Sequence, residues 1–246
     1  MSVPRGSVTL MQMVLVPGFW LGADAWREVI PAIESAGHTA HPLTLPGLES
    51  RDTDRSGIRV RDHVDAIVRA IDELGGDERD VVLVGHSGGG PLAYAATGER
   101  PDRIARTVYV DSWPLGPGGS VAPDLPAADG QVELPDWEDF EDADLIDLTD
   151  EQRDEFRRIA VPEPADVVAG PIELADDSHR RAVPATIVAC EFTPADLRSW
   201  LDGGEPAVAE VGRLERWDVV ELPTGHWPMF TRPSELGALL AELADR

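Results

Sequence analysis

The sequence contains no lysine and no asparagine, a bias typical of a GC-rich genome, and all 21 of its basic residues are arginines. They are outnumbered by 46 acidic residues, and the formal net charge is −25. A charge of that sign repels nucleic acid and anionic membranes. We therefore expect neither as a partner.

Cysteine and long apolar runs are also scarce. Cys190 is the only cysteine, so an internal disulfide is excluded, and the flanking Thr-Ile-Val-Ala at 186–189 predicts a buried core thiol. No apolar run approaches the length of a membrane span, and the N-terminus lacks the pattern of a secretory signal. These features predict a cytoplasmic protein. Residues 1–7 are loop-like and partly resemble a protease-site linker, so we expect a disordered leader or a linker remnant there.

Strand-like and helix-like apolar segments alternate through most of the chain. The strand-like segments are 10–16, 38–43, 81–84, 104–110, 185–190 and 217–222, and helical patterns lie between them. One of those helices is predicted from a cap at Asp24 through Trp26 to Gly37. Such alternation predicts an α/β protein with a doubly wound, mostly parallel sheet.

The alternation stops between residues 114 and 184. Proline, glycine and acidic residues dominate there, with fourteen acidic residues from Asp124 to Glu155. Seventy residues are too many for a structureless loop, and Thr149 with Gln152 forms a capping box that opens a helix. We expect a small helical cap at 114–184, inserted after the strand that ends at Asp111, with 8–113 and 185–246 forming the core. A partly disordered acidic loop over 116–145 is the alternative.

One stretch joins a buried strand to a helix through a glycine-rich turn. Val81–Val84 are followed by Gly85-His86-Ser87-Gly88-Gly89, which matches the Gly-x-Ser-x-Gly pattern of a nucleophile elbow. Small residues on either side of Ser87 let a sharp turn expose its hydroxyl at a helix N-terminus. A glycine-rich turn that binds phosphate or nothing is the alternative. Ser87 is the candidate nucleophile.

A serine hydroxyl needs a base, and the base needs a carboxylate. His226 follows a late strand, at the edge where the carboxyl ends of parallel strands meet, and it is the candidate base. Asp111 and Glu191 each end a strand on the same side of the sheet. Asp111 is favoured because prolines downstream stiffen its loop, while Glu191 remains the alternative acid.

Backbone N–H groups are expected to stabilise an oxyanion beside Ser87. The amide of Gly88 and that of Phe19, in the turn after the first strand, are the candidate donors, with Trp20 as the less favoured alternative to Phe19. We expect Trp20, His86, Trp113, Trp227 and Met229 to line the substrate pocket.

These residues resemble the α/β-hydrolase fold superfamily over nearly the whole chain. The segment Val14–Gly18 through Trp26, together with the elbow, is similar to a branch of small esterases that includes plant methylesterases and hydroxynitrile lyases. The resemblance implies about six strands and the chain order nucleophile, acid, histidine. The branch usually carries His-Gly where this chain has Pro17-Gly18, and it usually places its acid after the strand that follows the cap. Glu191 stands near that position, where no aspartate occurs.

The expected function is hydrolysis of a small neutral or hydrophobic carboxylic ester through an acyl-enzyme. We expect no metal and no cofactor, a small-molecule ester as substrate, and a monomer or homodimer. A lyase-type enzyme on the same scaffold is one alternative, although the lysine that hydroxynitrile lyases use is absent here. A ligand-binding receptor with a slow or vestigial triad is the other.

Overall fold

The computed structural model describes residues 10–76, 79–174 and 178–246, so the predicted leader at 1–7 lies outside the described residues. The described residues contain eight strands: β1 (Gln12–Val16), β2 (Thr39–Pro42), β3 (Val81–His86), β4 (Ile104–Val110), β5 (Gln131–Val132), β6 (Glu163–Pro164), β7 (Ala185–Ala189) and β8 (Trp217–Glu221). Six of them form one sheet in the order β2-β1-β3-β4-β7-β8, and every neighbouring pair is parallel. The predicted six-stranded parallel sheet is confirmed.

The sheet is covered on both faces, which explains why its strands are nearly continuous apolar runs. Successive side chains of a strand point to opposite faces. Met13 and Leu15 of β1 pack in one core, while Val14 and Val16 pack in another. Each residue of β3 is buried.

The helices of the described residues supply the two outer layers. They are α1 (Ile30–Ser35), α2 (Val60–Glu73), α3 (Gly89–Glu99), α4 (Asp150–Ile159), α5 (Ala165–Val168), α6 (Ser178–Ala182), α7 (Pro194–Gly203), α8 (Pro228–Thr231) and α9 (Pro233–Ala244). Helices α1 and α9 pack together over the face of Met13, and α2 and α3 pack over the face of Val14. The fold is therefore doubly wound, as predicted.

The helix predicted from Asp24 to Gly37 is wrong in its extent. A 3-10 turn at Ala23–Trp26 comes first, and α1 begins only at Ile30. Pro31 lies in the first turn of α1. Proline lacks an N–H and its ring crowds the carbonyl four residues earlier, so a continuous helix through Trp26 is disfavoured.

Residues 114–184 carry the remaining short elements. Strands β5 and β6 pair antiparallel, and α4 begins at the predicted capping box, where Thr149 Oγ1 accepts the N–H of Gln152 at 3.3 Å. Phe156 of α4 is fully buried in the same core as Met13. The division of the chain into a core and a cap stays a prediction.

The carboxyl ends of the parallel strands bring the candidate site residues to one edge of the sheet. Ser87 follows β3 directly, Asp111 follows β4, Glu191 follows β7 after one residue, and His226 lies in the loop after β8. Among the described residues, no helix is long and apolar enough to cross a membrane.

Candidate active site

Ser87 lies in a turn whose backbone is strained. Its φ of 49° is in the left-handed region, which non-glycine residues seldom adopt. The turn leaves no room for side chains next to it, because a Cβ on Gly85 would lie 2.6 Å from the carbonyl oxygen of Gly89. Ser87 donates its N–H to the Val110 carbonyl at 3.1 Å, and Ser112 Oγ donates to the Ser87 carbonyl at 2.7 Å. Sequence reasoning missed this role of Ser112.

His226 connects the serine to a carboxylate. Its Nε2 lies 2.7 Å from Ser87 Oγ, and its Nδ1 lies 2.7 Å from Asp111 Oδ2. With a proton on Nδ1 donated to Asp111, Nε2 is left as the acceptor for the serine hydroxyl. The arrangement can withdraw a proton from Ser87 as its oxygen attacks a carbonyl carbon.

Asp111 is held as tightly as the serine. It is 4 % exposed, and its Oδ1 accepts the backbone N–H groups of Cys190 at 3.0 Å and Glu191 at 3.2 Å. Its φ is 44°. The described residues include five non-glycine positions with positive φ, and Trp20, Ser87 and Asp111 are three of them. Such strain collects at functional sites because surrounding contacts must hold it in place.

Glu191 also approaches the histidine. Its Oε1 lies 3.5 Å from His226 Nδ1, against 2.7 Å for Asp111. Burial lowers the pKa of His226, but hydrogen bonds and negative charge from Asp111 and Glu191 outweigh burial and raise the pKa. Both carboxylates that the sequence leaves as alternatives therefore surround one imidazole, and Asp111 has the shorter contact.

A third carboxylate, Asp144, stands beside this pair. Its backbone carbonyl accepts the N–H of His226 at 2.9 Å, and the Ile146 carbonyl accepts that of Gly225 at 3.1 Å. Burial and the neighbouring Glu191 carboxylate raise the pKa of Asp144 to about 6. Glu191 Oε2 is buried and has no hydrogen-bond partner among the described residues. Sequence reasoning missed Asp144, because it lies in an aperiodic acidic stretch.

The turn after β1 packs directly on the elbow. A Cβ on Gly18 would lie 2.9 Å from Ser87 Cβ, and a Cβ on Gly88 would lie 2.7 Å from the ring of Phe19. The N–H of Trp20 donates to Glu163 Oε2 at 2.9 Å, so that amide is engaged elsewhere. Phe19 and Gly88 therefore remain the candidate oxyanion donors.

A cavity of about 260 Å³ opens over the serine and histidine. Its wall is mainly apolar and consists of Phe19, Trp20, Ser87, Val121, Ala122, Leu125, Phe140, Asp144, His226 and Trp227. Trp20 and Trp227 thus lie where the sequence predicts pocket residues. Val121, Leu125 and Phe140 were missed, because nothing in the irregular segment before α4 marks which side chains turn inward.

Three of the predicted pocket residues lie elsewhere. His86 is fully buried, and its Nε2–H donates to the His226 carbonyl at 2.7 Å. Burial, followed by the charge of His226, lowers the pKa of His86 to about 3, so this ring is neutral. Trp113 packs against Phe192 at a ring-centroid distance of 5.7 Å. Met229 is 1 % exposed and lies in the same core as Met13. These three side chains are not among those that line the cavity.

Asp111, Glu191 and His226 form the one group of potential metal ligands in the described ranges, with ligand atoms within 4.8 Å of one another. Asp111 already bonds His226 Nδ1 and two backbone N–H groups, and Glu191 Oε1 lies 3.5 Å from the same Nδ1. The donor set is therefore organised around a proton on Nδ1. Cys190 is buried, and burial raises the pKa of its thiol far above the ordinary range, as expected for a core residue.

A parallel sheet that presents a serine at a strand-to-helix turn, with a histidine and a carboxylate at neighbouring strand ends, defines the α/β-hydrolase class of fold. A sequence model of the alpha/beta hydrolase family matches residues 13–239, and the chain belongs to this family. The resemblance that the sequence analysis found is confirmed.

Two curated relatives and one solved structure resemble nearly the whole chain. Methylesterase 7 of Arabidopsis thaliana is 28 % identical, covering 96 % of each chain. The carbendazim hydrolyzing esterase of a Nocardioides strain is 27 % identical, covering 95 % of this chain and 100 % of its own. An extracellular alpha/beta-hydrolase from a Paenibacillus species superimposes with a TM-score of 0.75 at 22 % identity, covering 94 % of this chain and 98 % of its own. At 22 % identity, the similarity to the Paenibacillus hydrolase concerns the fold alone.

Proposed function

We propose that the protein hydrolyses small neutral or hydrophobic carboxylic esters, with Ser87 as nucleophile, His226 as general base and Asp111 as the acid that orients it. The observation that carries the proposal is the unbroken hydrogen-bond chain from Ser87 Oγ through the imidazole to Asp111, with 2.7 Å at each link. The esterase names of the relatives support the same reaction class.

The reaction would proceed in two halves. Ser87 Oγ attacks the ester carbonyl carbon while its proton passes to His226 Nε2, and the oxyanion meets the N–H groups of Gly88 and Phe19. Collapse breaks the bond to the alcohol oxygen, which leaves with the proton from Nε2. His226 then takes a proton from water as the water oxygen attacks the acyl-enzyme, and the acid is released as the Ser87 oxygen regains a proton.

The cavity supports the substrate class. About 260 Å³ is at the small end for ligand sites, so it suits a short ester. Aromatic and aliphatic side chains form most of its wall, which favours apolar acyl or alcohol groups. Asp144 adds a carboxylate to that wall, so an anionic substrate would be repelled. The wall residues between 121 and 144 belong to the proposed cap, which would thereby set chain-length preference.

The direct test compares turnover of p-nitrophenyl butyrate by the wild type, Ser87→Ala and Ser35→Ala. Ser35 lies on α1, away from the site, and its hydroxyl donates to the Ala32 carbonyl at 2.9 Å, so it serves as the control. We expect Ser87→Ala to lower kcat at least ~1000-fold with folding intact, and Ser35→Ala to leave it unchanged. Near-normal turnover in folded Ser87→Ala would refute the mechanism. A wild type that acylates once without turnover would favour the receptor-like alternative.

A further inference from the structure

Trp20, the residue after the candidate oxyanion donor Phe19, has a backbone that is unusual for a large side chain. Its φ is 65°, in the left-handed region, and the residue is 6 % exposed. A bulky residue holds this strained conformation only when its surroundings determine it. The contacts that hold Trp20 are therefore informative.

Three hydrogen bonds fix Trp20, and the partners of all three lie within residues 114–184. Its N–H donates to Glu163 Oε2 at 2.9 Å, its carbonyl accepts the N–H of Val161 at 2.9 Å, and its indole Nε1–H donates to the Val132 carbonyl at 3.1 Å. The partners of the Trp20 backbone N–H and carbonyl, Glu163 and Val161, lie two positions apart in the chain. Both polar groups of the Trp20 backbone are thus held by one short segment between α4 and α5.

The other end of the same turn rests on the nucleophile elbow. Gly18 lies so close to Ser87 that a Cβ would be 2.9 Å from the serine Cβ, and the ring of Phe19 covers Gly88. The peptide N–H of Phe19 therefore lies between two fixed points, the elbow on one side and the Trp20 contacts on the other. Releasing either point would let that N–H rotate.

We propose that Glu163 is a positioning residue for the oxyanion hole, which acts by holding the Trp20 N–H and so fixing the orientation of the Phe19 N–H. The inference rests on the proposed function, because it assigns a role in stabilising that reaction's oxyanion. It also means that residues 161–163 complete the catalytic site from outside the sheet.

The surroundings of Glu163 suit such a role. The residue is 1 % exposed, and Arg55, itself buried, is the charged group beside it. Arg55 directs Nε to the Pro162 carbonyl and its other donors to Ser50, Arg51, Thr53 and Gln131. Burial raises the pKa of Glu163 to about 8, so the side chain is neutral at pH 7. Glutamine is therefore a close isostere that keeps an acceptor oxygen at the same reach.

The experiment compares Glu163→Gln, Glu163→Asp and Glu163→Leu, with kcat and KM for p-nitrophenyl butyrate and the affinity of a trifluoromethyl ketone, which forms a tetrahedral oxyanion on serine. Glu163→Leu removes the acceptor and Glu163→Asp withdraws it by one methylene. Glu210→Leu is the matched control, since Glu210 is also buried but bonds Tyr94, Arg181 and Arg213.

We expect kcat and ketone affinity to fall together, about 10-fold to 100-fold in Glu163→Leu, with KM within threefold of wild type. Glu163→Gln should stay within threefold of wild type in both quantities, and Glu163→Asp should lie below Glu163→Gln. A higher kcat in Glu163→Gln than in Glu163→Asp would show that the position of the acceptor oxygen matters, because glutamine keeps that position whereas aspartate keeps only the carboxyl group. This comparison remains measurable if the leucine variant does not fold.

Two outcomes would overturn the inference while leaving the proposed function intact. One is a wild type with Ser87-dependent turnover whose kcat is unaffected by loss of the Glu163 acceptor. The other is equal loss in Glu163→Leu and Glu210→Leu, which would indicate a general effect of stability. A wild type without Ser87-dependent turnover would instead refute the proposed function, and the inference with it.

Discussion

Replacing Asp111 with asparagine tests which carboxylate orients His226. An asparagine can keep the two backbone bonds of Asp111 Oδ1 to Cys190 and Glu191. Its NH₂ group would then face Nδ1, which would have to give up its proton to accept that hydrogen bond. The imidazole would carry its proton on Nε2 and could no longer accept the proton of Ser87.

The magnitude follows from the distances. At an effective dielectric of about 20, a unit charge at 2.7 Å stabilises the imidazolium by roughly 6 kcal/mol, and one at 3.5 Å by roughly 5 kcal/mol, before screening. The Glu191 side chain is 25 % exposed and that of Asp111 is 0 % exposed, so Glu191 is screened more. Glu191 therefore remains a partial substitute. We expect kcat to fall about 10³-fold in Asp111→Asn, less than the ~10⁴-fold loss known for such a change in a triad with a single acid.

The assay is a double-mutant cycle on kcat for p-nitrophenyl butyrate with Asp111→Asn, Glu191→Gln and the double variant. Glu191→Gln should lower kcat less than about tenfold. Because its charge raises the pKa of His226, its loss should move the acid limb of the kcat/KM profile to lower pH. The fold-loss of kcat in the double variant should exceed the product of the fold-losses in the two single variants. A Glu191→Gln loss as large as that of Asp111→Asn, or an Asp111→Asn loss under tenfold, would refute this assignment.

Three further predictions concern the surroundings of the site. Gly225→Ala should lower both kcat and the melting temperature, because the Cβ of the alanine would lie 2.6 Å from the Ile146 carbonyl oxygen. An unchanged kcat would show that the close approach of Gly225 to Ile146 is not needed for activity. Asp144→Asn should raise kcat/KM about threefold to tenfold for an ester that carries a carboxylate, and it should leave kcat/KM for a neutral ester of equal length unchanged. The control variant Asp142→Asn should leave kcat/KM unchanged for both esters. Glu163 should contribute less to the free energy of unfolding as the pH rises from about 4.5 to about 8, because its raised pKa opposes ionisation in the folded state. Denaturant titrations at pH 5 and pH 8 should show that the free energy of unfolding changes less favourably over this interval in wild type than in Glu163→Gln.

The candidate triad was predictable from the sequence because each member follows a recognisable strand. The elbow at Ser87 has a strand, a glycine turn and a helix in direct succession, and parallel strands bring Asp111 and His226 to the same edge. The structure places these three side chains within hydrogen-bond reach, while their catalytic roles stay predictions. The choice between Asp111 and Glu191 depended on side-chain distances, which no pattern encodes.

What the sequence did not predict depends on long-range contacts of residues 114–184. Glu163 bonds Trp20 across 143 positions, and His226 bonds the carbonyl of Asp144 although all the elements from α4 to β8 lie between them in the chain. Neither contact leaves a periodic trace, because Asp144 lies in the irregular stretch before α4 and Glu163 lies in the two-residue strand β6. Residue type alone predicts Trp113 in the pocket, whereas in the structure its ring packs against Phe192.

The most direct test of the central claim is covalent labelling of Ser87. Intact wild-type protein and Ser87→Ala would be incubated with a fluorophosphonate, and the modified peptide identified by mass spectrometry. With Ser87 activated by His226, we expect stoichiometric labelling at Ser87 in the wild type, labelling that slows at least ~100-fold in His226→Ala, and none in Ser87→Ala. A wild type that stays unlabelled, or a label on another residue with Ser87 unmodified, would contradict the assignment of Ser87 as nucleophile.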